Sequence, residues 1–229
     1  MPLSPLQQQV AAIVAETTEG REVGLAGGAA LIVSGIGDRL TRDLDFFATT
    51  AATVDELAPR VLDALRSAGL VVEQVRASPG FTRLQIADGA DTTELDLAWD
   101  ARIRNLRDSE YGPVLARDEL AADKMLALYG RAEARDFVDV YRLRSIYPRA
   151  RLFELAAEKD RGFVADAFAE TLKSIGRRDR IEFQCDDATF DAIQSEFADW
   201  HADLSGPTFV ADPHPPAERR PKPGMELDL

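Results

Sequence analysis

Two aspartates, Asp43 and Asp45, occupy alternate positions in the run DLDFFA. In an extended chain, residues two apart point to the same face, so both carboxylates share one side while Leu44 and Phe46 turn to the other. Carboxylates held side by side repel each other unless a cation lies between them. Such a pair suits Mg²⁺ or Mn²⁺ held against the phosphates of an NTP, where the metal activates an attacking hydroxyl and stabilises departing pyrophosphate. A bare Asp-x-Asp strand is more often a solvated sheet face. Here, however, the run GGAALIVSGIGDRLTRDLDFF sets a Gly-Gly turn and a short helix ahead of the pair. Gly27 and Gly28 would let phosphates approach backbone N–H groups at that helix start. The apolar residues flanking each aspartate point to a buried strand.

A third carboxylate is expected from a neighbouring strand. TELDLAWD offers Glu94 and Asp96 on one face, with Leu95 and Leu97 on the other. Asp96 is preferred because, like Asp45, it has apolar neighbours on both sides; it could also serve as general base if the geometry allows. Glu94 is second, and Asp100 falls past the strand end. Further on, RDELAADKMLALYGRAEARDFVDVYRL carries Lys124 four residues from both Leu120 and Leu128, with its stem beside a buried stripe. Taken singly, such a lysine reads as a side chain that buries its stem and keeps its charge in water. Asp136 and Asp139 lie three apart and share a helical face, where an Arg135–Asp139 pair would be an ordinary solvated contact.

The elements that must position these residues divide into two halves. Ser4 and Pro5 start a helix to about Thr18, with Leu6, Val10, Ile13 and Val14 on one face. Glu22 to Leu25 predicts a short strand before the Gly-Gly turn. Thr53 with Glu56 forms a capping-box pattern for a helix ended by Gly69, with Pro59 inside it. Strands are expected from Leu70, Phe81 and Thr93, separated by turn-prone SPG and ADGAD. From Asp118 the apolar residues recur at three and four, predicting a series of helices, one of them over GFVADAFAETLKSIG and another from about Asp187 to Leu204. The expected organisation is an α/β core over 1–115, a helical domain over 116–206 and a Pro-rich tail over 207–229.

Composition narrows the chemistry. The 229 residues include one cysteine, Cys185, and two histidines, His201 and His214, so a metal centre must rest on carboxylates. No stretch approaches the ~20 apolar residues of a membrane span. The opening MPLSPLQQQV lacks a signal-peptide pattern, and a cytoplasmic location is expected. A formal net charge of −13 counts against broad nucleic-acid binding and leaves room only for a local basic patch.

The pattern GG…RLTRDLDFF, followed by DEL-AADK-LAL-R and RDFVDVYRL, resembles the AbiEii/AbiGii-type nucleotidyltransferase toxins of type IV toxin–antitoxin systems, the group that includes MenT. The likeness spans about Gly24 to Leu143, and two separated motifs in the right order make it specific. It implies an α+β fold: a DNA polymerase β-like nucleotidyltransferase core with a mixed sheet, followed by a helical C-terminal bundle. It also implies site roles. Gly27 and Gly28 form the phosphate-side turn, Arg39 matches the basic residue before the strand, and Thr41 stands where serine is common. Asp43 and Asp45 match the metal-binding pair, Lys124 a phosphate-binding lysine, and Asp136 the aspartate of the RD motif, with Arg135 beside it. Ala29 departs from the usual Thr or Ser after the Gly-Gly.

Understood members of the family add nucleotides to the acceptor end of tRNA and so block translation. An RNA acceptor needs a basic surface, and two clusters offer one: Arg102, Arg104 and Arg107, favoured for closeness to the site in sequence, and Lys173, Arg177, Arg178 and Arg180. An alternative is nucleotide transfer to a protein or small molecule, which the acidic charge favours. A third reading, a non-enzymatic module with the same fold, is opposed by Asp43, Asp45, Lys124 and Asp136 occurring together. The resemblance also implies an antitoxin encoded by a neighbouring gene.

Overall fold

A computed structural model describes residues 3–19, 22–37 and 41–206. In chain order the elements are α1 (Pro5–Thr17), β1 (Val23–Ala26), α2 (Gly27–Val33), β2 (Asp43–Ala48), α3 (Ala51–Ser67), β3 (Val71–Ser78), β4 (Phe81–Asp88), β5 (Asp91–Trp99), α4 (Arg117–Gly130), α5 (Ala134–Leu143), α6 (Arg149–Lys159), α7 (Ala165–Leu172) and α8 (Asp187–Ser205). Short 3-10 turns, Lys173–Arg177 and Arg180–Phe183, join α7 to α8.

The strands form one five-stranded sheet in the order β1-β2-β5-β4-β3. Only β2 and β5 run parallel, so the sheet is mixed. Strand alternation sends Leu44, Phe46, Leu84, Ile86, Leu95 and Leu97 to a buried face, and α1 and α3 pack on the sheet. The opposite face of β2 and β5 is acidic. The parallel register sets Asp43 beside Glu94 and Asp45 beside Asp96, while the antiparallel register of β4 sets Arg83 opposite Asp96. The outer side of β1 is closed by the chain at 113–115, through Leu25 N donating to Pro113 O and Leu115 N to Leu25 O. Apolar residues from Leu3 to Leu204 join in one buried cluster that spans both halves of the chain. Among the described residues, no helix is long and apolar enough to cross a membrane.

Local signals act largely as the sequence predicts. Ser4 caps α1 in a reciprocal box with Gln7, with Pro5 in the first turn. The start of α3 differs from the expected Thr53–Glu56 box. Thr50, on extended backbone just past β2, takes the cap instead, its hydroxyl accepting from Thr53 N at 3.1 Å. The helix expected over GFVADAFAETLKSIG ends at Leu172 and tightens into the 3-10 turn that contains Gly176, a poor helix former. The Pro-rich tail and Arg39 lie outside the described residues.

A buried ionic cluster fixes the helical half to the end of β5. The Lys159 ammonium, only 4% exposed, lies 2.7 Å from Asp100 Oδ2 and 2.8 Å from Glu119 Oε1, and also touches Asp123. The other Glu119 oxygen accepts from Ile103 N and Arg104 N, both at 2.8 Å. Removing the lysine leaves buried carboxylates uncompensated, a change that costs about 3–5 kcal/mol. Lys159→Met is therefore expected to lower the urea midpoint by that amount of stability; an unchanged midpoint would show that the cluster is not a structural tie.

Candidate active site

The acidic face of the sheet forms the floor of a cavity of about 110 Å³. Three carboxylates, Asp43, Asp45 and Asp96, meet four cations there, Arg83, Lys124, Arg131 and Arg135, with Gly28 at the wall. Each side chain is set by its element. Gly27 begins α2 at φ +61°, a left-handed conformation that suits glycine. A Cβ at Gly27 would lie 1.8 Å from Asp45 Oδ2, so the turn also leaves the space that the carboxylate fills. Thr41 turns its hydroxyl to Asp43, donating to Oδ1 at 2.6 Å. Arg135 Nη1 approaches Asp43 Oδ2 at 3.7 Å.

Asp45 is the most perturbed of these acids. Its carboxyl is pushed up to about 6, first by burial and then by the neighbouring Asp43 and Asp96, which Lys124 and Arg135 only partly offset. Asp96, 8% exposed, is held by a two-pronged contact: Arg83 Nε donates to Oδ1 at 2.7 Å and Nη2 to Oδ2 at 2.6 Å. Glu94, the second choice for a third carboxylate, faces Arg83 at 3.7 Å and does not line the cavity.

Behind this layer stand the two aspartates of RDFVD. Asp139, 1% exposed, lies 2.8 Å from the Lys124 ammonium. Asp136, fully buried, accepts from Arg131 Nε at 2.9 Å and Nη2 at 2.8 Å, and from Glu133 N at 3.0 Å. The structure thus brings Asp43, Asp45, Asp96, Lys124 and Gly28 together and leaves Asp136 outside the cavity wall, behind Arg131. The expected Arg135–Asp139 contact is replaced: Arg135 pairs with Glu133 at 2.8 Å, while Asp139 serves Lys124. Sequence reasoning missed Arg83 and Arg131. Arg131 was within reach, since it follows Lys124 by seven residues, just past the end of α4 at Gly130. Arg83 was not, because its opposition to Asp96 depends on strand register.

The cavity adjoins a cleft of about 640 Å³ lined by Arg42, Asp43, Arg135, Arg178 and Gln184, among others. Gln184 is held in a left-handed conformation at φ +50°, an unusual state for a residue with a side chain. The favoured basic cluster is not at this cleft. Arg102 donates to the carbonyls of Glu22 and Phe47, and Arg104 binds Glu158 with both Nη atoms. Arg178, from the other cluster, lines it instead.

Among the described residues, no group of three or more His, Cys, Asp or Glu side chains is arranged to hold a metal. Asp43 and Asp45 offer hard oxygen donors side by side, in a site where the negative charge on Asp45 is poorly compensated. That fits Mg²⁺, which binds through one or two carboxylates and completes its shell with water and phosphate oxygens. The same imbalance has a cost for stability. Folded Asp45 holds its proton to about 6, against 3.8 ordinarily. The folded state therefore binds more protons than the unfolded chain between these values, and Asp45 disfavours folding increasingly as pH rises through the window. In metal-free buffer, Asp45→Asn is expected to melt about 2–4 °C above the wild type at neutral pH, the shift of about 1 kcal/mol in a chain of this size. The gap should close near pH 4. Calorimetry at both pH values checks this, and a variant melting below the wild type at neutral pH overturns it.

Solved structures share this fold. JHP933 from Helicobacter pylori has a similar structure, with a TM-score of 0.55 and 17% identity, covering 88% of this chain and 94% of that one. A candidate nucleotidyltransferase from H. pylori is similar at a TM-score of 0.57 and 17% identity, covering 88% and 97%. At this identity the likeness establishes the fold. No curated protein matches the sequence. Residues 14–222 match the family described as nucleotidyl transferase AbiEii toxin, Type IV TA system. With that match over most of its length, the chain belongs to the AbiEii family of type IV toxin–antitoxin systems and is a nucleotidyltransferase.

Proposed function

We propose that this protein is a Mg²⁺-dependent toxin that transfers NMP from an NTP to an RNA acceptor, the 3′ end of tRNA, and thereby blocks translation. Family membership implies an NTP substrate and an antitoxin. The observation that carries the reading is the cavity in which Asp43 and Asp45 face Lys124, Arg131 and Arg135, opening beside a cleft edged by Arg42 and Arg178. When bound, Mg²⁺ would supply activation of the attacking hydroxyl and neutralisation of phosphate charge. Asp43 and Asp45 would hold it.

The protein's own groups do the rest. Lys124 and Arg131 bind phosphate oxygens, Arg131 as a planar fork. Asp139 holds the Lys124 ammonium in place, and Asp136 fixes the guanidinium plane of Arg131. Thr41 orients Asp43, and Gly27 and Gly28 leave room on the phosphate side. The acceptor hydroxyl attacks the α-phosphorus and releases its proton to solvent, while the α–β phosphoanhydride bond breaks and pyrophosphate leaves. Arg42, Arg135 and Arg178 at the cleft suit an acceptor that carries phosphates, which favours RNA over a small uncharged molecule. A protein or small-molecule acceptor is the second reading, favoured by the net charge of −13.

The decisive experiment incubates the protein with Mg²⁺, each α-³²P-labelled NTP in turn and total tRNA. Label on tRNA that vanishes with Asp43→Ala is the expected result. Label on protein alone would replace the acceptor. Gly27→Ala should lower the labelling rate about 100-fold, the effect of displacing a catalytic group by about 1 Å; an unimpaired variant would show that the close approach of Gly27 to Asp45 is unimportant. Arg178→Glu should weaken tRNA binding and flatten its salt dependence, whereas Arg104→Glu should leave binding unchanged. The reverse pattern would return the RNA surface to the 102–107 segment.

A further inference from the structure

The third carboxylate of the site is already occupied by a cation of the protein itself. Arg83 and Asp96 are directly opposed across β4 and β5. The guanidinium takes both carboxylate oxygens at 2.7 and 2.6 Å. A head-on fork of this kind uses the syn lone pair on each oxygen and leaves the weaker anti pair. Arg83 is anchored on further sides as well: Glu94 Oε2 lies 3.7 Å away, and the Phe81 ring centroid is 5.9 Å from its guanidinium carbon. Among the described residues, Asp43 and Asp45 have no comparable clasp. Asp43 receives a threonine hydroxyl and a 3.7 Å approach from Arg135, and Asp45 is paired in register with Asp96 across the parallel strands.

We propose that Arg83 holds Asp96 out of metal coordination, so that the centre takes one divalent cation on Asp43 and Asp45 while the Arg83 guanidinium stands as a fixed second cation. This rests on the metal-binding role given to Asp43 and Asp45 above. Asp96 is then a positioning residue for Arg83, which lines the catalytic cavity beside Asp45. In such a centre the charge that a second metal would bring is built into β4 and needs no ion from solution.

The test is Mn²⁺ binding to the full chain, followed by the electron paramagnetic resonance signal of the unbound ion, without nucleotide. The wild type should bind one Mn²⁺ per chain, and Asp45→Asn should weaken binding by at least ~10-fold. Asp96→Asn should leave both affinity and stoichiometry unchanged. Arg83→Gln should bind a second Mn²⁺ or tighten the first roughly tenfold, a gain that the double variant Arg83→Gln/Asp96→Asn loses. Asp96→Asn keeps the shape of the side chain and decides the matter alone if Arg83→Gln fails to fold. Weakening by Asp96→Asn equal to that by Asp45→Asn would overturn the proposal and make Asp96 a ligand, with the metal reading intact. Mn²⁺ binding indifferent to Asp45→Asn would bring down both.

Discussion

Two strands that pair in parallel bring Asp43 beside Glu94 and Asp45 beside Asp96, and this concentration of negative charge conditions the rest of the structure. Acids set next to one another in a poorly solvated place are unfavourable unless cations face them. The sheet provides only Arg83. Lys124, Arg131 and Arg135 come from α4, the turn after it, and α5. The helical half is therefore needed for the charge balance of the sheet, and the cavity exists where the two meet. Compensation stays incomplete at Asp45, whose carboxyl is raised to about 6. A site poised in this way sacrifices stability to keep a buried carboxylate poorly compensated, a common exchange at functional centres.

The cations in turn are held from behind. Asp139 sits against Lys124 and Asp136 against Arg131, and both aspartates are almost completely buried. A flexible lysine or arginine facing a cluster of acids would collapse onto them. A buried partner on the far side fixes the distance and keeps each cation at the cavity. The motif RDFVD thus works as a support: one turn of α5 presents two carboxylates, each aimed at a different cation. Asp136 has a second duty, since it closes a reciprocal capping box with Glu133 at the start of the helix. Its substitution would loosen the helix and the arginine together.

Within the AbiEii family frame, the placement of the basic residues bears on the acceptor. Arg102 and Arg104 are spent on internal contacts that fix the segment after β5, next to the Lys159 cluster. Arg178 reaches the cleft because the chain after α7 does not continue as a helix, and the 3-10 turns carry 173–183 back over α5. An acidic protein with arginines gathered at one cleft can engage a phosphate-bearing partner there while its remaining surface repels polyanions.

Much was already written in the sequence. Strand alternation and the apolar neighbours of Asp43, Asp45 and Asp96 put these acids on one polar face. The Gly-Gly turn, the capping Ser4 and the helical periodicity after Asp118 are local signals, and local signals survive whatever packs around them. They suffice for the α+β arrangement and for placing Gly28, Asp43, Asp45 and Asp96 at the cavity. Partnership is what they could not supply. That Arg83 clasps Asp96 depends on the antiparallel register of β4 and β5. That Asp139, and not Asp136, meets Lys124 depends on the rotation of α5 against α4, and that Arg178 reaches the cleft while Arg102 does not depends on where the chain turns after Leu172. Identity and spacing along a chain fix which groups share a face; only the packing of one element on another decides which opposite charges fall within reach, because ion pairs form through space between residues that the sequence keeps far apart.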